Sequence, residues 1–99
     1  MKPVRYDPEA FEDIRATVRY YESQDKGLGL RFRVAIDVRE NEIRLSPKLN
    51  AIYDDTPCRI CQVHKFPYAI CYLEYDDYIR IVGIIDLRRK PGYWLRRLR

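Results

Sequence analysis

The sequence predicts an α+β fold: an N-terminal strand, an antiparallel helix hairpin, then a three-stranded antiparallel meander, forming one largely antiparallel sheet with the helices on one face. Three observations predict it. Apolar residues recur every three or four positions up to about residue 45, they alternate every second position beyond residue 57, and turn residues such as Pro47, Pro57 and Asp76-Asp77 separate the periodic runs. With 99 residues and 46% hydrophobic content the chain can bury one modest core, so a single domain over 1–99 is expected.

Lys2 to Tyr6 reads as the first strand. Asp7-Pro8-Glu9 ends it, Asp7 being suited to accept hydrogen bonds as an N-cap and Pro8 to the first helical position. Phe11, Ile14, Val18 and Tyr21 then make one helical stripe running to about Gln24, and Tyr20-Tyr21 sets one ring in the core and one near the surface. Lys26-Gly27-Leu28-Gly29 breaks this helix, with Gly27 as a left-handed C-terminal cap. A second helix starts near Leu28, buries Phe32, Ala35, Ile36 and Ile43, and stops at Ser46-Pro47.

A looser segment covers 47–57, in which Asp54-Asp55-Thr56-Pro57 reads as a turn. Arg59 to Lys65, Ala69 to Tyr75 and Tyr78 to Ile85 are the remaining strands, the last two joined at Asp76-Asp77. Phe66-Pro67-Tyr68 is a kink in which Phe66 plugs the core. In the last strand Ile79, Ile81, Gly83 and Ile85 share the face that should carry the helices. Arg80, Val82, Ile84 and Asp86 take the other, with Arg88 if the strand continues. That opposite face, expected to be open, is the candidate site.

Net charge is +4, from 19 Lys and Arg against 15 Asp and Glu, yet residues 88–99 hold six of the cations and no acid. The basic character is therefore C-terminal, which suits a nucleic-acid or acidic protein partner, or a solubilising tail. No apolar leader or long uncharged apolar run occurs, so a membrane span is not expected and a cytoplasmic location is. Cys58, Cys61 and Cys71 form an odd set without secretion signals, so a disulfide framework is not expected. Cys58 and Cys61 make a C-x-x-C near His64, but positions three apart on a strand point to opposite faces and no second pair completes a zinc site. The three read as small buried residues with inert thiols, no metal is expected, and His64 reads as a strand-surface residue.

The order strand, helix hairpin, three strands, with YYESQDKGLGLRF at the helix junction, KFPYAICY leading into the third strand and RRKPGYW at the end, resembles the RelE/ParE superfamily of toxins from type II toxin-antitoxin systems. The resemblance covers nearly the whole chain. It implies a small bacterial growth inhibitor, without a cofactor, held silent by a cognate antitoxin whose C-terminal segment folds onto it. One branch of that superfamily cuts mRNA in the ribosome's decoding site, and another poisons DNA gyrase.

Cutting RNA through its own 2′-hydroxyl needs a base, cations for the phosphate and an acid for the leaving oxygen. Arg59, Lys65, Arg80 and Arg88 are the cations nearest the candidate face, Tyr93 is a proton donor or a ring for a base to stack on, and Asp86 is a weak base. Arg88 falls where members resembling RelE carry an Arg after the last strand, and Tyr93 lies close to their C-terminal Tyr. Two positions depart from that pattern. Tyr68 is followed by Ala69 where a Tyr-Arg pair is usual, and Asp86 stands where relatives with a PGYW-like ending often have a His. A carboxyl with an ordinary pKa of about 3.9 is ionised at neutral pH and sets negative charge beside the scissile phosphate.

The gyrase reading needs only a surface for a protein partner, for which Arg89, Lys90, Trp94, Arg96 and Arg97 are the candidates, beside Tyr93 and Leu95. Alternatively Trp94 and Leu95 fold back over a sheet edge, with Pro91-Gly92 as the turn. Ala69 and Asp86 tip the balance to gyrase, leaving the ribosome-dependent nuclease and a non-toxic antitoxin- or nucleic-acid-binding module as alternatives. The antitoxin segment is expected to be acidic and amphipathic, its carboxylates meeting Arg80 and Arg88.

Overall fold

A computed structural model describes residues 1–98; Arg99, the last cation of the basic tail, lies outside the described residues. The chain runs β1 (Val4–Tyr6), α1 (Pro8–Gln24), α2 (Leu28–Leu45), β2 (Arg59–Gln62), β3 (Tyr68–Glu74), β4 (Ile79–Asp86) and a C-terminal 3₁₀ turn (Leu95–Leu98). The strands form one sheet in the order β1-β4-β3-β2. The meander is antiparallel as the alternation predicts, and β1 lies parallel to β4, which makes the sheet mixed. Among the described residues no helix is long and apolar enough to cross a membrane.

Pro8 opens α1, where its missing N–H costs nothing. Asp7 does not cap the helix with its side chain. Its carboxylate is held instead by Arg80, 2.7 Å from Nη2 and 2.9 Å from Nε, because a guanidinium fork binds a carboxylate more strongly than backbone N–H groups do. Ala10, Ile14 and Thr17 are the buried positions of α1, whereas Phe11, expected in the stripe, is 45% exposed and stacks on Tyr6.

Gly27 adopts the left-handed conformation expected of it, φ 86°, but stands immediately before α2, and Asp25 ends α1. The start of α2 is capped from α1: Glu22 accepts from the Gly27 N–H at 3.0 Å and from the Gly29 N–H at 3.1 Å, satisfying donors the helix leaves free. A Cβ at Gly29 would come within 2.7 Å of the Val18 carbonyl oxygen, so the two helices approach where only glycine fits. Phe32, Ile36 and Ile43 are fully buried from α2. Each contributes about 1.5–3 kcal/mol against the sheet.

The sheet departs from the predicted alternation at one place. Cys71 pairs with Gly83 but Tyr72 pairs with Ile81, leaving Val82 as the extra residue of a bulge. Ile79 and Ile81 face the helices as expected, and so does Ile84, while Val82 and Ile85 turn to the opposite side. Asp86, opposite Tyr68, returns to the helix side with it. The expectation that Asp86 and Arg88 look away from the helices is corrected by this single-residue slip.

β1 pairs only with Ile79 to Ile81, so β4 would present a bare edge beyond that point. Two side chains occupy it in place of a strand. The Ile84 N–H donates to Asp13 Oδ2 at 3.0 Å, Arg97 Nη1 donates to the Val82 carbonyl at 3.4 Å, and Asp13 and Arg97 are themselves 2.7 Å apart. Gly83 makes the room, since a Cβ there would sit 2.5 Å from Arg97 Nη1.

Arg97 thereby draws the C-terminal segment across the face expected to be open. Trp94, 2% exposed, closes a second core made of Cys58, Ala69, Cys71, Leu73, Val82 and Ile85, with its ring 5.1 Å from that of Tyr53. The molecule has three layers, not two. Within this second core Cys58 and Cys71 are joined as a disulfide, which corrects the expectation of three separate thiols. Ile60 pairs with Cys71, and Cys58 shares its face two residues earlier, so the register sets the two cysteines diagonally across neighbouring strands. Cys61 is free and buried on the helix side, so the C-x-x-C is split across the sheet as its spacing predicts.

Candidate functional site

β3 begins at Tyr68 directly opposite Asp86, the last residue of β4, so the end of the sheet sets an aromatic ring beside a carboxylate. Arg88, just beyond the strand, folds back onto both. Its Nε donates to Asp86 Oδ1 at 3.0 Å, its Nη2 to Asp86 Oδ2 at 3.2 Å and to the Tyr68 hydroxyl at 3.1 Å, and its guanidinium lies 5.5 Å from the Tyr68 ring centre. The backbone N–H of Arg88 also donates to Asp86 at 2.9 Å. Tyr93 returns from the following turn, its hydroxyl accepting from the Asp86 N–H at 2.9 Å, and Arg89 covers its ring at 3.7 Å. Tyr21 of α1 packs edge-on against Tyr68 and Phe66.

The electrostatics follow from these contacts. Hydrogen bonds from Arg88 hold the Asp86 carboxyl below its ordinary range. Burial pushes the Tyr68 and Tyr21 hydroxyls above theirs, Asp86 adding to the effect at Tyr68. A base working at neutral pH wants a pKa near 7, and these groups are moved away from it from both sides. Arg88 keeps its proton and spends its charge on Asp86.

The other predicted site residues are dispersed. Arg80 does face away from the helices, but it is locked to Asp7, and six residues of strand separate it from Asp86 by roughly 20 Å. Arg59 donates to the carbonyls of Lys48 and Asn50, a loop-fastening role. Lys65, with φ 68°, breaks the strand predicted to reach it, and with His64 it lines a groove against α2. Among the partner-binding candidates Arg89 and Lys90 are exposed, Arg96 is exposed and pairs with Glu9, Arg97 is pinned to Asp13, and Trp94 is core. The cluster at the end of β4 therefore keeps Asp86, Arg88, Arg89, Lys90 and Tyr93. It gains Tyr68 and Tyr21, which the sequence reading treated as packing residues. Among the described residues no three His, Cys, Asp or Glu side chains gather to hold a metal ion.

No protein-family model and no curated protein matches the chain by sequence. Its structure superposes on a chain of the chromosomal ParDE TA system from P. aeruginosa with a TM-score of 0.74, over 88% of this chain and 97% of that one, at 16% identity. The two chains share one fold. The element order read from the sequence, strand, helix hairpin and meander, is present in three dimensions.

Because the folded Asp86 carboxyl titrates below its unfolded value, its clamp on Arg88 stabilises the protein above the ordinary carboxylate pKa of about 3.9 and is lost as pH falls through the lower folded value. A carbon-detected NMR titration of Asp86 should place its midpoint below that ordinary value, and Arg88→Ala should raise it. A midpoint at the ordinary value, indifferent to Arg88→Ala, would remove the clamp from the account.

Proposed function

We propose that this chain is the toxin of a type II toxin-antitoxin module, acting in the cytoplasm by binding DNA gyrase and not by cutting RNA. The likeness in fold to a ParDE chain supports the toxin reading. The observation that carries the choice of target is the closed Asp86–Arg88–Tyr68 set: its cation is neutralised by its own neighbour, its carboxyl is held below its ordinary range and the Tyr68 hydroxyl is pushed above its own, both away from the pKa a general base requires. Beside it Arg89, stacked on Tyr93, and Lys90 form an exposed cationic turn on a rigid support, which suits recognition of an acidic protein surface.

A ribosome-dependent nuclease is the second reading. It is favoured by one observation, the placing of Arg88 within hydrogen-bond reach of one tyrosine while Tyr93 stands on the other side of Asp86. In that reading an RNA phosphate displaces Asp86 from Arg88. Induction of the protein in culture, with mapping of mRNA 5′ ends and scoring of chromosomal breaks, separates the two. We expect DNA breaks with intact mRNA, and the double charge reversal Arg89→Glu/Lys90→Glu should abolish them while thermal stability is unchanged. New in-frame mRNA cuts that vanish in Arg88→Ala would overturn the gyrase reading.

The antitoxin requires a different place from the one the sequence suggested, because Trp94 covers the sheet face and Arg80 is committed to Asp7. An apolar surface left open lies on α2. Leu30, Val34 and Val38 follow one another at four-residue spacing and are 67%, 52% and 52% exposed. Beside Val34 and Val38 runs a groove of about 690 Å³ against the β2–β3 turn, lined also by Leu28, Phe66, Arg31 and Lys65, and by Arg39 paired with Glu42. This combination suits an acidic amphipathic helix that orders on binding. Val34→Glu/Val38→Glu should weaken binding of the neighbouring gene's product by at least about a hundredfold, given about 1.5–3 kcal/mol for each buried aliphatic anchor, without lowering stability. Unchanged affinity would move the antitoxin elsewhere.

A further inference from the structure

We infer that Cys58 and Cys71 form a redox clasp that governs how firmly the C-terminal cover holds to the sheet. Nothing in the toxin reading depends on it, and it stands or falls independently of the target. Both cysteines are fully buried and belong to the second core, the one that Trp94 closes. Cys71 sits in the middle of β3, a central strand, while Cys58 ends the irregular segment that leads into the edge strand β2. The bond therefore fastens a mobile kind of element to a fixed one.

The start of the segment before Cys58 is fastened by Arg59 on the Lys48 and Asn50 carbonyls and by Tyr72 on Asn50 and Pro47, and closer to Cys58 the ties are fewer. Tyr53 donates its N–H to the Cys58 carbonyl at 2.8 Å, Ile60 donates to Ala51 at 3.1 Å, and a single bridge joins Ile52 to Arg59. Tyr53 in turn supplies the ring against which Trp94 packs. Chain and cover are thus coupled within the second core, and through Tyr53 in particular: whatever holds Cys58 holds Tyr53, and Tyr53 is one wall of the Trp94 pocket. Cys61, three residues on, takes no part because it lies on the helix side of the sheet, and burial pushes its thiol up, away from the reactive thiolate.

The chemistry is thiol-disulfide exchange with a small disulfide such as oxidised glutathione. A thiolate of one cysteine attacks the external disulfide and expels one glutathione thiolate. The second cysteine then attacks the mixed disulfide, expelling the other, so that two protein thiols become one disulfide as one external disulfide becomes two thiols. Excess reduced glutathione drives the same steps backward. Because both sulfurs are covered, exchange proceeds through opening of the 50–58 segment, and the cover that the bond secures also controls access to it.

The experiment uses the intact chain equilibrated with oxidised or reduced glutathione, then quenched by acid and alkylation. Mass spectrometry should show a loss of two hydrogens in the oxidised sample and two fewer alkylated thiols, assigned to Cys58 and Cys71. Closing a loop of 13 residues should raise the melting temperature by roughly 10 °C or more. Trp94 is the only tryptophan, so its quenching by acrylamide reports the cover directly and should increase on reduction. Cys58→Ala and Cys71→Ala should each abolish the dependence on glutathione, and Cys61→Ala should keep it. Three free thiols at every glutathione ratio, or a disulfide whose reduction changes neither the melting temperature nor the quenching of Trp94, would overturn the proposal.

Discussion

The pair formed by Asp13 and Arg97 at the edge of β4 is the interaction on which the rest of the molecule depends. β1 is only three residues long, so the strand beside it would be left with unpaired backbone groups next to a bulge. A carboxylate from the first helix and a guanidinium from the C-terminal turn take up those groups and each other. One contact thus fixes helix, sheet and C-terminus together. Asp13 draws the Arg97 proton affinity upward, and Glu9 stands 3.2 Å from Arg97 Nε as a second partner, so loss of Arg97 deprives Asp13 of its cation whereas loss of Asp13 leaves Arg97 with Glu9.

From that pin follow the two features that define the protein's chemistry. Trp94 is carried over the second face of the sheet, where it closes a core around Cys58 and Cys71 instead of standing free to meet a partner. Tyr93, its neighbour, is brought beside Asp86 and donates shape to the end of β4 while Arg89 stacks on it. Arg89 and Lys90, both exposed, project from a turn with fixed ends. A surface of this kind is pre-organised for a partner, and pre-organisation is what lowers the cost of binding.

The helix hairpin was legible because its signals are local: the stripe through Ile14 and Val18, the break at Gly27, the buried set Phe32, Ile36 and Ile43. The strands were legible for the same reason, with bounds shifted by a residue or a few. The bulge was not. In IRIVGIID every position around Val82 is apolar or glycine, so a one-residue slip leaves no polar residue on the wrong face to reveal it, yet it carries Asp86 to the helix side. The C-terminal cover was half legible: Pro91-Gly92 allowed Trp94 and Leu95 to fold back over the sheet, and Trp94 does so while Leu95 stays partly exposed, but the cationic run around them reads equally as a solvated tail. Asp13 had no mark at all: one acid among several on an amphipathic helix becomes decisive only when the edge of β4 is known to be bare. Tyr68 was visible as part of a kink and as the tyrosine followed by Ala69, but not as the partner of Asp86, since that role rests on the register that sets the two opposite.

Amide hydrogen exchange at Ile84 tests the pin most directly. Its N–H points out of the sheet edge, where it would exchange quickly were it not held by Asp13. We predict that Ile84 exchanges as slowly as the interior amides of β4, and that Arg97→Ala, by releasing Asp13, accelerates it by about tenfold or more, the equivalent of one charge-assisted hydrogen bond. Rapid exchange at Ile84 in the unaltered protein, or slow exchange indifferent to Arg97→Ala, would contradict the claim that this ion pair closes the sheet and sets the C-terminal surface in place.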